Sequence, residues 1–163
     1  MTRTDDTGAV WMLREIWGVP AELAGNISDE ENLEYGKALL IAAKGDGQLT
    51  DAERDWTLGY AICAGNSAEN IQTLRSYAGD DDFEDLFTRG IQQIARRVCI
   101  CDAIRACGSD GDLAPGELAA VHRMGKRLSV PSEVVDEFVE IYNEEQALKA
   151  RRIKLAFPDG HGG

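Results

Sequence analysis

The sequence predicts an all-α protein, a compact bundle of about seven helices built from two pseudo-symmetric three-helix repeats. Three observations support this fold class. Apolar residues recur at helical spacing along most of the chain, no stretch of useful length alternates as a strand would, and one short segment occurs twice. With 163 residues, of which 44% are hydrophobic, the chain is long enough to bury one substantial core.

The repeated segment covers residues 42–53 and 106–117, which align with an offset of 64 residues. Each half of the chain is predicted to contain a helix, an Asp-Gly turn, a second helix, a break and a third helix. The duplication therefore indicates one architecture used twice. The identical pairs are Ala42/Ala106, Asp46/Asp110, Gly47/Gly111, Leu49/Leu113 and Glu53/Glu117.

Start signals place the individual helices. Ser28 with Glu31, and Thr50 with Glu53, have the spacing of capping boxes, and Pro115 suits a first helical turn. The pattern of residues 82–106 fits either one long helix or two helices broken near Gly90. The predicted helices span about residues 9–17, 29–44, 50–64, 68–78, 82–106, 115–128 and 131–155.

The domain organisation follows from these elements. Residues 1–28 are expected to form an N-terminal helix and linker, residues 29–157 one helical domain, and residues 158–163 a flexible tail. Within the domain, repeat one covers about 29–78 and repeat two about 82–142.

Composition excludes several classes of function. The net charge of −12, with no basic surface of any size, argues against nucleic-acid binding. No segment has the roughly 20 apolar residues of a membrane span, and acidic residues precede any apolar run at the N-terminus, so we expect a cytoplasmic protein. No Cys-x-x-Cys pair occurs, and the predicted role of the cysteines is that of small buried residues: Cys63, Cys99, Cys101 and Cys107.

Residues 43–47 with Leu49 and Glu53, and residues 107–111 with Leu113 and Glu117, resemble the TerB-like, or tellurite-resistance, family. The shared pattern is a small-residue helix end, Asp-Gly, an apolar residue two places on, and a Glu in the next helix. The resemblance covers roughly residues 29 to 150. It implies a compact helical fold with an acidic face that can bind metal. It also implies protein partners and a role in bacterial stress response or in assemblies near the inner face of the membrane.

The Asp-Gly segments also match the second half of a calcium-binding EF-hand loop. In that comparison Asp is position 5, Gly position 6 and Glu the ligand at position 12. Positions 1 and 3 are Ala42 and Lys44 in one copy, and Ala106 and Gly108 in the other. Because none of these donates a carboxylate, a standard calcium loop is not expected.

Two interpretations of the Asp-Gly segments stay open. In the first, they are helix corners, with Gly47 and Gly111 at positive φ and no metal. In the second, the equivalent corners approach each other and form an oxygen-rich site for a divalent ion of the calcium or magnesium type. Its predicted ligands are Asp46, Glu53, Asp110, Asp112 and Glu117.

No catalytic motif such as Gly-x-Ser-x-Gly, His-Glu-x-x-His or a P-loop occurs, so we do not expect an enzyme. The leading hypothesis is a TerB-like module that binds protein partners, with a divalent cation organising its acidic face. The alternative is a metal-free helical scaffold that binds through its charged last helix. The residues of that surface are Glu144, Glu145, Lys149, Arg151 and Arg152.

Overall fold

A computed structural model describes residues 7–20, 27–87 and 93–160. Within these ranges the chain forms α-helices and short 3-10 turns and no β-strand, so the all-α prediction is confirmed. The α-helices are α1 (Thr7–Glu15), α2 (Asp29–Ala43), α3 (Asp51–Cys63), α4 (Ala68–Ser76), α5 (Gln93–Cys107), α6 (Pro115–Arg127) and α7 (Ser132–Ala156).

The elements of the two halves correspond along the chain. Helix α2 ends in the 3-10 turn Lys44–Asp46, and α5 ends in the 3-10 turn Gly108–Asp110. We call these turns, each with the glycine that follows it, the first corner and the second corner. Helices α3 and α6 start after the corners, at positions 64 residues apart, and so do α4 and α7. That the halves are related by a twofold axis stays a prediction.

Local sequence signals explain where the helices begin. At α2 the Ser28 hydroxyl accepts the Glu31 amide at 3.2 Å, and Glu31 Oε2 accepts the Ser28 amide at 2.8 Å. This reciprocal pair is the predicted capping box, and it satisfies two amides that the helix itself leaves without acceptors. Pro115 stands in the first turn of α6, where its missing N–H costs nothing.

The helix predicted from Asp82 is wrong in its first part. Residues Phe83–Asp85 form a 3-10 turn, and Phe87 has a φ of 55°, which ends any helical path. Tertiary contacts override the helical pattern, because the Arg127 guanidinium binds the carbonyl oxygens of Phe83 and Leu86 at 3.2 and 2.6 Å. The predicted break at Gly90 lies outside the described residues.

The core lies mainly between α2 and α5, the most extensive helix pair, and α6 covers both. Cys99, Cys101 and Cys107 are buried there, as predicted. Cys63 is exposed, which contradicts the prediction for it, because it is the last residue of α3 and lies outside the packed face of that helix.

The predicted linker and tail fall partly outside the described ranges, which omit residues 1–6, 21–26 and 161–163. The predicted domain boundaries stay a prediction. None of the helices within the described ranges combines the length and the apolar character needed to cross a bilayer.

Candidate functional site at two interlocked corners

The two Asp-Gly segments are helix corners with the same geometry. Gly47 and Gly111 have φ values of 98° and 104°, in the left-handed region that favours glycine. Asp46 Oδ1 accepts the Gln48 amide at 2.9 Å, and Asp110 Oδ1 accepts the Asp112 amide at 3.1 Å. These local bonds give the repeated Asp a structural role in the turn, as Asx turns do.

The corners interlock with helices of the opposite half. A Cβ atom built on Gly45 would lie 2.6 Å from the Gly116 carbonyl oxygen and 2.7 Å from the Glu117 Cα. One built on Gly116 would lie 2.7 Å from the Asp46 Cα. The first corner therefore packs directly on the first turn of α6. The second corner packs on α3 in return, so each corner supports the helix that follows the other.

Glu53 lies in the buried first turn of α3. Its carboxylate Oε2 accepts the Thr50 amide at 2.6 Å and the Thr50 hydroxyl at 2.8 Å, which completes the predicted capping box. Only 1% of Glu53 is accessible to solvent. An acidic residue is rarely buried so completely without a partner. The capping bonds provide part of its stabilisation.

Glu117 has the equivalent place in α6. Its Oε2 accepts the Ala114 amide at 2.6 Å, and the residue is 3% exposed. Its carboxyl lies within hydrogen-bonding reach of the Glu53 carboxyl, so an acid of each half meets its counterpart. Burial raises the pKa of Glu117 from 4.5 to about 8, and the hydrogen bond to Glu53 adds to the rise. The Glu117 carboxyl therefore holds a proton near neutral pH.

The other predicted ligands, Asp46, Asp110 and Asp112, are all exposed at or next to the corners. Asp46 is close enough for its charge to raise the pKa of Glu117 further. Burial raises the pKa of Cys107 well above its usual value, and the charges of Glu117 and Glu53 contribute. Asp112 is exposed, and its Oδ1 accepts the Leu113 amide at 2.9 Å. The structure thus joins Glu53 with Glu117 and leaves Asp112 at the surface.

The metal interpretation can be compared with this geometry. Among the described residues, no group of three or more His, Cys, Asp and Glu side chains is arranged to hold a metal ion. Each Glu uses Oε2 at its own helix start, which leaves one oxygen per carboxyl. Calcium takes six to eight oxygen ligands in general. A proton between the carboxyls of Glu53 and Glu117 relieves their mutual repulsion without any metal ion. The divalent ion therefore stays a prediction.

A second place with a buried acid was not anticipated from the sequence. Asp102 on α5 is 1% exposed, and its Oδ2 accepts the Tyr35 hydroxyl at 2.8 Å. The Arg105 guanidinium lies 3.6 Å from Asp102 Oδ1 and also binds both oxygens of Glu145, at 2.8 and 3.1 Å. Burial raises the pKa of Asp102 to about 6, while hydrogen bonds from Tyr60 and Tyr35 and the charge of Arg105 oppose the rise.

Stacked aromatic rings enclose the Asp102 network. The ring centroids of Tyr35 and Tyr60 lie 5.7 Å apart, and those of Trp56 and Tyr60 lie 5.6 Å apart. The sequence carried one signal for this network, since Asp102 interrupts an otherwise apolar run from Val98 to Ile104. A lone acid inside an apolar helical segment is expected to have a hydrogen-bonding or charged partner.

A cleft of about 360 Å³ opens beside the first corner, between Lys44 and Arg123 on one hand and the loop Gly79–Asp82 on the other. The charges of the loop are compensated locally. Lys44 forms a salt bridge with Asp80, and the Tyr77 hydroxyl donates to Asp81 Oδ2 at 2.8 Å. The acidic run therefore serves mainly to fix the loop against α2 and α4.

Comparison with known structures identifies the fold. A crystal structure titled as a tellurite resistance protein from Nostoc punctiforme PCC 73102 matches 100% of this chain and 100% of its own, with 28% identity and a TM-score of 0.79. The chain therefore resembles a TerB-like tellurite resistance protein over its full length. The predicted resemblance to the TerB-like family is thereby confirmed. Comparisons with protein-family models and with curated proteins find no match.

Proposed function

We propose that this TerB-like chain is a bacterial stress-response module of the tellurite-resistance type, which acts by binding protein partners and not by catalysis. The observation that carries the proposal is the full-length likeness to the Nostoc punctiforme tellurite resistance protein. The interlocked corners support it, because they make one rigid body from two halves. Such a body suits the presentation of a fixed surface to a partner.

The net charge of the chain indicates which class of partner it binds. A net charge of −12 disfavours nucleic acid and favours proteins with basic surfaces. We propose that the module works in the cytoplasm, free or in a complex near the inner face of the membrane.

A divalent cation of the calcium or magnesium type is the second part of the proposal. Its candidate ligands are the buried Glu53 and Glu117, together with Asp46 and Asp110 at the two corners. A cation there would have to displace the proton of Glu117, so its affinity should rise with pH. The test is thermal unfolding with added calcium or magnesium, at a pH above the raised pKa of Glu117.

Binding to the native state raises the melting temperature by mass action, so a saturable rise is expected. The rise should be lost in the double variant Glu53→Gln/Glu117→Gln and kept in Glu133→Gln, which alters an exposed acid on α7. A flat response to both ions in the wild-type protein contradicts this part alone.

The tellurite role is tested by survival. A tellurite-sensitive bacterium that expresses the chain should tolerate a higher tellurite concentration than one that carries an empty vector. Expression is matched by immunoblot. No gain in tolerance at matched expression contradicts the proposed role.

The exposure of the end of α7 favours a second candidate, the metal-free scaffold. Arg151 and Arg152 are both exposed there. If α7 is the binding surface, Arg151→Glu/Arg152→Glu should abolish protection against tellurite while Glu53→Gln/Glu117→Gln keeps it. The reverse pattern favours the metal-dependent module.

A further inference from the structure

The last part of α7 projects from the bundle. Glu145 and Gln146 are half-buried, and in the ten residues that follow, 147–156, only Ile153 is half-buried while the others are exposed. Ten helical residues span about 15 Å. A helix end of this length has little tertiary packing to hold it, and helices in proteins owe most of their stability to such packing.

An apolar row runs along the exposed side of α7. Ile141, Leu148 and Leu155 follow one another at intervals of seven residues, and they are 40%, 58% and 76% exposed. Seven residues are close to two helical turns, so the three side chains share one face. A helix that packs against a second helix along its length repeats apolar residues every 3.5 residues, and this row supplies one such position in each heptad.

Two opposite charges flank this row on one side. Glu144 and Arg151 are exposed and also seven residues apart. In the described part of the chain, neither has a hydrogen bond or ion pair from its side chain. Neither has an opposite charge three or four residues away along α7. Both charges are therefore available to a partner.

We infer that this face of α7 binds the same face of a second copy of the chain, with the two helices antiparallel. Centred on Leu148, that arrangement sets Leu148 against the partner's Leu148 and Ile141 against the partner's Leu155. Glu144 lies four residues before the centre and Arg151 three after it. In an antiparallel pair, Glu144 of one copy and Arg151 of the other lie on the same side of the interface. Their positions along the helix axis differ by about one residue rise, 1.5 Å.

Charge complementarity selects this direction. The antiparallel pair forms two Glu144–Arg151 contacts, one for each copy. In a parallel pair the same residue lies on opposite sides of the interface in the two copies, so Glu144 would lie beside Glu145 and Arg151 beside Arg152 of the other copy. Like charges at such positions are destabilising.

The same charges favour a second copy over a membrane surface. Leu148 and Leu155 with Arg151, Arg152 and Lys154 have some character of a helix that binds anionic lipid. Glu137, Glu140 and Glu144 share that helix, however, and the chain carries a net charge of −12. Both features repel an anionic surface, whereas an antiparallel second copy uses the acids and the bases together.

This inference goes beyond the proposed function, because it names the partner of α7 and requires neither tellurite nor metal. Its first test is sedimentation velocity over about three decades of protein concentration, since the dimer fraction of a homodimer depends on concentration. The wild-type chain should shift from monomer to dimer, and Leu148→Glu should stay monomeric. Ile62→Glu is the matched control, because Ile62 on α3 is 57% exposed and should leave dimerisation unchanged.

A charge exchange tests the register. Glu144→Arg sets Arg against Arg, and Arg151→Glu sets Glu against Glu, so each variant alone should dimerise about tenfold more weakly than wild type. An equimolar mixture of the two variants restores both contacts and should associate as a heterodimer. The double variant Glu144→Arg/Arg151→Glu should dimerise like the wild type.

Three results overturn the inference. They are a wild-type monomer at every concentration, a Leu148→Glu variant that still forms dimers, and a mixture of the single-charge variants that does not associate. Thermal melting of each variant confirms folding, which is expected because the substituted side chains are exposed. A monomeric wild-type chain that binds vesicles containing phosphatidylserine would assign this face to membranes and contradict the second copy.

Discussion

The protein buries acids at two places and stabilises them in opposite ways. Asp102 is surrounded by donors, with the Tyr35 hydroxyl at 2.8 Å and the Arg105 guanidinium at 3.6 Å. Glu53 and Glu117 meet each other instead, and a retained proton relieves the repulsion between them. Asp102 therefore keeps its charge near neutral pH by means of its neighbours, whereas the carboxyl pair avoids a second charge by staying protonated.

The two arrangements connect different parts of the fold. The Asp102 network connects side chains from α2, α5 and α7 around one charged centre. The carboxyl pair connects equivalent helix starts, α3 and α6, and each carboxyl also caps its own helix. We interpret the pair as the central link between the two halves, and the following predictions test that interpretation.

The largest effect is expected from separation of the interlocked corners. Gly45→Ala places a methyl group 2.6 Å from the Gly116 carbonyl oxygen and should lower the free energy of unfolding by about 3 kcal/mol. Gly59→Ala is the matched control, because nothing lies within 4 Å of its Cβ position in α3. It should raise the free energy of unfolding by about 0.5 kcal/mol. Urea unfolding measures both, and equal effects would contradict the interlock.

Removal of one carboxyl should come next in size. Glu117→Ala leaves the Ala114 amide without its acceptor and Glu53 without its partner, and we expect a loss of about 2 kcal/mol. Glu117→Gln keeps an acceptor for the amide and supplies a donor to Glu53, so it should cost less than about 0.5 kcal/mol. If the two variants lose equal stability, the hydrogen bond between the carboxyls does not stabilise the fold.

A smaller loss is expected at the second acid. Asp102→Asn keeps an acceptor for the Tyr35 hydroxyl but removes the charge that faces Arg105. Because Glu145 still binds Arg105, we expect a loss of about 1 kcal/mol. The unfolding midpoint in urea measures it. A gain in stability would show that the charge of Asp102 is not compensated.

The smallest effect is expected at the corners themselves. Asp46→Asn with Asp110→Asn keeps the side-chain oxygens that accept the Gln48 and Asp112 amides. We expect a change within about 0.5 kcal/mol. A larger loss in calcium or magnesium, absent in metal-free buffer, would instead favour the metal interpretation of the corners.

The sequence predicted the local features of this site well. The corners, their glycines and the Thr50–Glu53 capping box depend on residues within a few positions of one another, where short-range rules hold. The interpretation of the Asp-Gly segments as helix corners was accessible from sequence because it requires no contact between the two halves of the chain. Likewise, the starts of α3 and α6 followed from Thr50 and Pro115.

The features that the sequence left open or missed depend on residues far apart in sequence. The approach of Glu53 to Glu117 was one of two open interpretations, because it requires each corner to pack on the opposite helix and no local pattern encodes that contact. The same limit explains the error at Phe83–Leu86, where Arg127 from α6 binds carbonyls that a helix would have used. Tertiary contacts override local propensity at both places.

We interpret the protonated Glu117 carboxyl, which contacts Glu53, as the link between the two halves of the fold. Because the pKa of Glu117 is raised on folding, from 4.5 to about 8, the native state binds more protons than the unfolded state between these values. Stability from this pair is therefore complete below pH 4.5 and is lost as pH rises towards 8. Asp102 contributes in the same direction only up to about pH 6.

The most direct measurement is the free energy of unfolding against pH, for the wild-type chain and for Glu117→Gln. Above the pKa of Asp102, the wild-type chain should lose stability as pH rises, and Glu117→Gln should lose much less because it has no proton to release there. The difference between the two curves then reports the proton of Glu117. Parallel curves across this range would contradict a proton held by Glu117 at the contact with Glu53.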